Sequence, residues 1–99
     1  MANRRLKDDL SLEIPPRRIE AFDISHLGGT NTVASLVCFI DARPRKTEYR
    51  KFNIKNDKIV PGDDVGMMKE VIARRFKRLT TEDPDRRLGK WPDLILIDG

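Results

Sequence analysis

The sequence predicts an α/β domain on one mixed sheet, in which an antiparallel three-strand meander is followed by a helix and then a parallel strand. Three observations predict it. Residues 18–54 carry strand-length apolar runs separated by short turn-rich segments. From Val65 the apolar period lengthens to three and four residues. The chain then closes on Leu94-Ile95-Leu96-Ile97, flanked by Asp93 and Asp98, a run suited to a strand covered on both faces.

Residues 1–17 read as a linker or terminal segment, in which Leu6, Leu10 and Leu12 suit a short helix that Pro15 and Pro16 end. The domain proper occupies 18–99. Arg18 to Ile24 is the first strand, with Ile19, Ala21 and Asp23 on one face and Glu20, Phe22 and Ile24 on the other. Gly28, Gly29 and Asn31 supply a turn. Thr32 to Asp41 is a nearly continuous apolar strand, and Ala42 to Arg45, with Pro44, turns the chain again. Thr47 to Ile54 mixes in polar residues, as a strand near the sheet edge does. After Pro61 and Gly62, one apolar stripe runs through Val65, Met68, Ile72, Phe76 and Leu79, with Arg74, Lys77 and Arg78 off it. Asp63 and Asp64 stand at the helix start, where carboxylates meet free N–H groups and the positive dipole end. Thr80 to Pro92 is a polar connection. A strand reached through a helical crossover pairs in parallel.

Ninety-nine residues hold one core, not two. No run approaches the ~20 apolar residues that cross a bilayer, and Arg4, Arg5, Lys7, Asp8 and Asp9 interrupt any leader-like stretch. No membrane role is expected, and a lone Cys38 in an apolar run fits a buried thiol in a reducing cytoplasm. One His and one Cys cannot build a zinc site. The net charge of +4 and pI near 9.5 lean towards polyanions. Placement sharpens this: a basic block at 43–55 and the basic flank of the helix offer Arg45, Lys46, Arg50, Lys51, Arg74 and Arg78 for phosphate contacts. Each is equally readable as solubilising charge.

Three aspartates carry the chemical question. Asp23 interrupts an apolar strand between Phe22 and Ile24, and burying an unpaired carboxylate costs several kcal/mol. Asp98 closes the last strand at its carboxyl end, where open α/β sheets place ligand sites. Asp64 opens the helix between them. If the last strand lies parallel beside the first, all three converge. Their mutual repulsion is then relieved by a hard divalent cation, Mg²⁺ or Mn²⁺, which favours oxygen ligands and can drive phosphodiester hydrolysis. The plainer roles remain open: a helix cap for Asp63 or Asp64, a turn for Asp98, a salt bridge for Asp23.

Several strings then bear on the choice. Arg18-Ile19-Glu20-Ala21-Phe22-Asp23-Ile24-Ser25-His26 resembles the RIExFDISH opening of the nuclease domain of UvrC-type DNA repair proteins. Residues 32–37 (TVASLV), Glu48-Tyr49-Arg50-Lys51-Phe52, Pro61-Gly62-Asp63-Asp64, the helix ending RRFKRL, and Pro92 to Gly99 (PDLILIDG) are similar to successive motifs of that family, in order and from about Leu10 onward. The resemblance implies a ribonuclease H-like fold and a metal-dependent endonuclease that makes the 5′ incision in damaged double-stranded DNA, as part of the UvrABC system of nucleotide excision repair. It maps the catalytic and metal-binding carboxylates onto Asp23, Asp64 and Asp98, leaves Asp63 to capping, and makes His26 a ligand or, equally, a hydrogen-bond partner behind one. The family continues past this point with further strands and helices, a downstream His and a helix-hairpin-helix module. It carries its UvrB-binding segment and a second nuclease upstream. Little or no activity is therefore expected of these residues alone. Two other readings compete: a non-catalytic DNA- or protein-binding module on the same fold, and a different ribonuclease H-like enzyme such as a transposase or resolvase, against which the DISH and PGDD strings speak.

Overall fold

The computed structural model describes residues 14–26, 32–54 and 63–98. In chain order these hold β1 (Arg18–His26), β2 (Thr32–Ile40), the two-residue β3 (Arg43–Pro44), a 3-10 turn at Lys46–Glu48, β4 (Arg50–Asn53), one helix, α1 (Asp64–Glu82), and β5 (Leu94–Asp98). The predicted turns through Gly28 to Asn31 and through Pro61–Gly62, and residues 1–13, lie outside the described residues.

Pairing is organised on β1. One edge runs antiparallel to β2 over its full length, from Arg18 opposite Ile40 to His26 opposite Thr32. The other edge runs parallel to β5, from Ile19 opposite Leu94 to Asp23 opposite Asp98. The outer edge of β2 is shared, Phe39 and Ile40 facing β3 and Val33 to Leu36 facing β4. The antiparallel meander and the parallel return of the last strand thus both appear as predicted. The turn between β2 and β3 holds Asp41 at φ 52° and Ala42 at φ 66°. Two successive left-handed residues give a two-residue hairpin the twist its strands need.

Alternation sorts the side chains. Phe22, Ala34, Leu36 and Phe52 leave the sheet on the face that α1 covers, and Met68 and Val71 meet them from the helix. Phe22, Ala34, Leu36 and Val71 are each at most 1% exposed. Cys38 is also fully buried, as predicted, and burial pushes its thiol pKa up although the nearby Arg18 charge opposes this.

Five local expectations are corrected. Arg43 and Pro44, read as a turn, pair with β2, and Thr47 and Glu48, read as strand, lie in the 3-10 turn. The helix runs on through Thr80 and Thr81 to Glu82. Its buried stripe is Met67, Met68, Val71, Arg75 and Leu79, rotated from the predicted one so that Val65 is 67% exposed. The reason is Arg75: an ion pair beneath the helix takes a place that hydrophobic periodicity cannot see. And β5 is not covered on both faces, since Leu96 and Ile97 are 43% and 57% exposed.

The connection from α1 to β5 is tied down by Asp83. Its carboxylate accepts the N–H groups of Leu88 and Lys90 at 3.0 Å, and its carbonyl accepts Trp91 Nε1 at 2.6 Å. Burial works against this carboxylate, but hydrogen bonds from the backbone of Leu88, Lys90 and Arg87 outweigh it and hold its pKa below the ordinary value. At the far end of the segment, Asp93 accepts the N–H groups of Arg17 and Arg18 at 2.9 and 2.8 Å. That clamp sets where β5 begins against β1, and so where it ends.

Candidate metal centre

Asp23 and Asp98 are paired residues of adjacent parallel strands, so their side chains leave the sheet on the same side. Asp64 is the first residue of α1. Together with Ile24, Met68 and Ile72, the three acids line one cavity of about 310 Å³. The sheet and helix therefore bring the three sequence-predicted carboxylates to one place.

Two features differ from expectation. Asp23 is exposed, near the carboxyl end of β1 where the strand borders the open cavity. Its interruption of an apolar strand therefore carries no burial penalty. Nor do any three Asp, Glu, His or Cys side chains among the described residues stand together as a group that could hold a metal ion. Mg²⁺ does not require one: it commonly takes one or two carboxylates, keeps several waters and shares substrate phosphate oxygens. Asp23 and Asp98, in register at one cavity, fit that requirement, and Asp64 lines the same cavity.

Asp63 takes the capping role predicted for it, its carboxylate accepting Gly66 N–H at 3.0 Å. That frees Asp64 to face the cavity. His26 closes β1 with Nε2 3.2 Å from Asp64 Oδ1 and Nδ1 3.3 Å from Thr32 Oγ1. It stands behind a candidate ligand rather than lining the cavity. Lys69, five residues beyond Asp64, does line it, whereas the sequence offered it only as one cation of a basic block.

The basic residues divide. Arg50, Lys51, Arg74 and Arg78 line a second cavity of about 130 Å³ between β4 and α1, on the flank of the helix away from the acids. Arg74 Nη1 donates to the Asn53 carbonyl at 2.8 Å, and its guanidinium lies 5.4 Å from the Phe52 ring centroid. Arg50 donates to the Thr47 and Tyr49 carbonyls. Arg45 and Lys46 are exposed in the preceding turn and do not join this group.

A buried acid was missed altogether. Glu20 is fully buried on the helix-facing side of β1. Arg75 grips it through Nε–Oε1 at 3.0 Å and Nη2–Oε2 at 2.8 Å, and Arg18 Nε adds a third bond at 3.0 Å. Arg18 also reaches Glu48 at 3.2 Å, and Lys90 Nζ meets the same Glu48 oxygen at 2.6 Å. Lys90 chiefly, then Arg18, pull the Glu48 pKa down to about 2 against the effect of burial. The available signal was slight: an acid alternating with Phe22 on one strand face, and an Arg beside the helix's apolar stripe.

Comparison with known proteins now bears on the whole arrangement. The family model described as the UvrC RNase H endonuclease domain matches residues 7–99. UvrABC system protein C of a Ruegeria species is 53% identical over 96 residues, 97% of this chain and 15% of that protein. The same protein of Ruegeria pomeroyi is 54% identical over 94 residues, 95% of this chain and 15% of its own length. That of Sphingopyxis alaskensis is 51% identical over 96 residues, again 97% and 15%. The chain thus spans about 15% of the curated relatives it matches. Among solved structures, Ciona intestinalis endonuclease V, crystallised with an inosine-containing DNA, superposes with a TM-score of 0.56 at 15% identity, covering 85% of this chain and 34% of that one. That likeness speaks for the fold, which is ribonuclease H-like. By its match to the family model over nearly its whole length, the chain belongs to the UvrC RNase H endonuclease domain family.

Proposed function

We propose that these residues form the hydrolytic part of a divalent-metal-dependent DNA endonuclease, the one that makes the 5′ incision in damaged double-stranded DNA during nucleotide excision repair. In this reading the domain works within the UvrABC system in the cytoplasm, and UvrB is engaged by other parts of a longer protein. The observation that carries it is the register of Asp23 with Asp98, with Asp64 across the same cavity.

Asp23 and Asp98 would hold the ion, Mg²⁺ or Mn²⁺, with Asp64 as the third oxygen donor. Bound there, it supplies Lewis-acid polarisation of a phosphoryl oxygen and neutralises charge as it develops. The chain's own residues do the rest. His26 fixes the orientation of the Asp64 carboxylate from behind, its other ring nitrogen being occupied by Thr32. Ile24, Met68 and Ile72 give the cavity an apolar wall that limits water on one side. Lys69 stands at the same cavity as a cation for a phosphate oxygen. Arg50, Lys51, Arg74 and Arg78 bind backbone phosphates further along the duplex without reading its bases, which suits a substrate defined by damage rather than sequence.

The test is nicking of a lesion-bearing duplex by the complete protein. Asp23→Asn and Asp98→Asn are each expected to cost ~10³-fold in rate, equivalent to about 4 kcal/mol of barrier, with the melting temperature and DNA affinity little changed. Undiminished, still metal-dependent nicking by both variants overturns the assignment. Salt-sensitive DNA binding with no cleavage under any divalent ion favours the non-catalytic module instead.

A further inference from the structure

Glu20 and Arg75 touch neither the acids nor the cavity they line, yet they join the two elements that carry them. Glu20 lies three residues before Asp23 on β1. Arg75 lies eleven residues after Asp64, close to three full helical turns (~16 Å) along the same face of α1. The two side chains meet through a two-bond fork, with Glu20 0% and Arg75 3% exposed. Arg75 also reaches the Lys90 carbonyl at 3.4 Å, in the segment that delivers β5 and therefore Asp98. One guanidinium thus touches the strand of the first acid, belongs to the helix of the second and touches the connection leading to the third.

A planar fork admits one geometry, whereas apolar packing tolerates sliding. A buried ion pair contributes little net stability compared with well-packed apolar residues of like volume, so stability alone gives no reason for an Arg under a helix that could carry a Met or Leu. Register is a better reason. A slip of α1 along the sheet by even one residue, ~1.5 Å, would move Asp64 by that amount relative to Asp23 and break both bonds of the fork.

We infer that Glu20 and Arg75 are positioning residues for the ion site: their buried fork fixes the axial register of α1 on β1, and thereby the spacing of Asp64 from Asp23 and Asp98. This rests on the metal-dependent reading above. It adds a role for two residues that never meet ion or substrate.

Two variants separate positioning from mere support. Glu20→Leu with Arg75→Met replaces the pair by apolar residues of similar length and is expected to keep the fold, because Arg18, which loses its bond to Glu20, retains Glu48 and the Gly89 carbonyl as partners. Arg75→Lys keeps a charge but loses the fork. Mn²⁺ affinity, read by the electron paramagnetic resonance of the free ion in titrations of the complete protein, is expected to fall ~10-fold in the double variant and less in Arg75→Lys, the size of effect seen when a supporting partner of a metal ligand is removed. Nicking is expected to lose kcat with KM for DNA unchanged, and to recover at higher Mn²⁺. Asp23→Ala serves as the reference for loss of the ion site itself. Wild-type Mn²⁺ affinity in either folded variant, while Asp23→Ala abolishes binding, overturns the positioning role and leaves the nuclease reading standing. Mn²⁺ binding by the wild type that Asp23→Ala does not change overturns both.

Discussion

Asp23 and Asp98 are register partners across the parallel β1–β5 pair, the last matched residues of the two strands. Neighbouring strands lie ~4.8 Å apart, so two carboxylates at matched positions can share one hard cation or flank a substrate oxygen. A shift of β5 by one residue would send Asp98 to the opposite face of the sheet. The Asp93 clamp on the Arg17 and Arg18 amides, at the opposite end of β5, is what holds that register.

His26 is expected to matter through Asp64 alone. It is exposed, with its side chain 50% accessible, so His26→Ala should leave the melting temperature nearly unchanged. Removing its hydrogen bond to Asp64 should weaken Mn²⁺ binding by ~10-fold, measured by direct titration. Unaltered affinity would mean that Asp64 needs no support from β1.

The α1 cap should be separable from the chemistry. Asp63→Ala removes the acceptor for Gly66 N–H and is expected to cost ~1 kcal/mol in chemical denaturation, with nicking preserved at temperatures where the fold holds. Gly66→Ala should be nearly neutral, because a Cβ there displaces the Asp63 carboxylate from the cap while alanine favours the helix over glycine by about 0.5–1 kcal/mol.

Ala42 sits at φ 66°, a conformation that an L side chain other than Asn or Asp rarely adopts. Ala42→Gly should relieve that strain at the β2–β3 turn and raise stability by about 0.5–1 kcal/mol net of the greater freedom glycine gains when unfolded. A rise of a few degrees in melting temperature checks it.

Glu48 predicts an acid limb in the stability profile. Its folded pKa, about 2, lies below its ordinary 4.5. Ionised Glu48 therefore stabilises the fold above pH 4.5, and the contribution fades as pH falls from there towards 2. It amounts to at most about 3 kcal/mol. Urea denaturation of Glu48→Gln against wild type should show a gap at pH 7 that closes towards pH 2–3.

Topology was legible in the sequence because it rests on periodicity: alternation through Arg18 to Ile24, the apolar run of β2, and the change of period at Val65. The meeting of Asp23, Asp64 and Asp98 at one cavity was legible too, since a parallel crossover leaves the last strand few places to pair. What escaped was set by contacts distant along the chain. Arg75 looked like one of many helix cations until Glu20, 55 residues away, was seen to hold it. Asp23 looked costly only because a residue's neighbours in sequence do not tell where along the strand its cover ends. The short pairing of Arg43–Pro44 was hidden by a proline that usually marks a turn.

The parallel pairing of β1 with β5 has a kinetic meaning as well. Residues 23 and 98 stand 75 positions apart, so their contact closes a long loop, whereas β1 and β2 can zip together from a short one. During synthesis the hairpin and helix can form while Asp98 is still absent. The proposed ion site therefore stays incomplete until that long loop has closed, however early the hairpin beside it has formed.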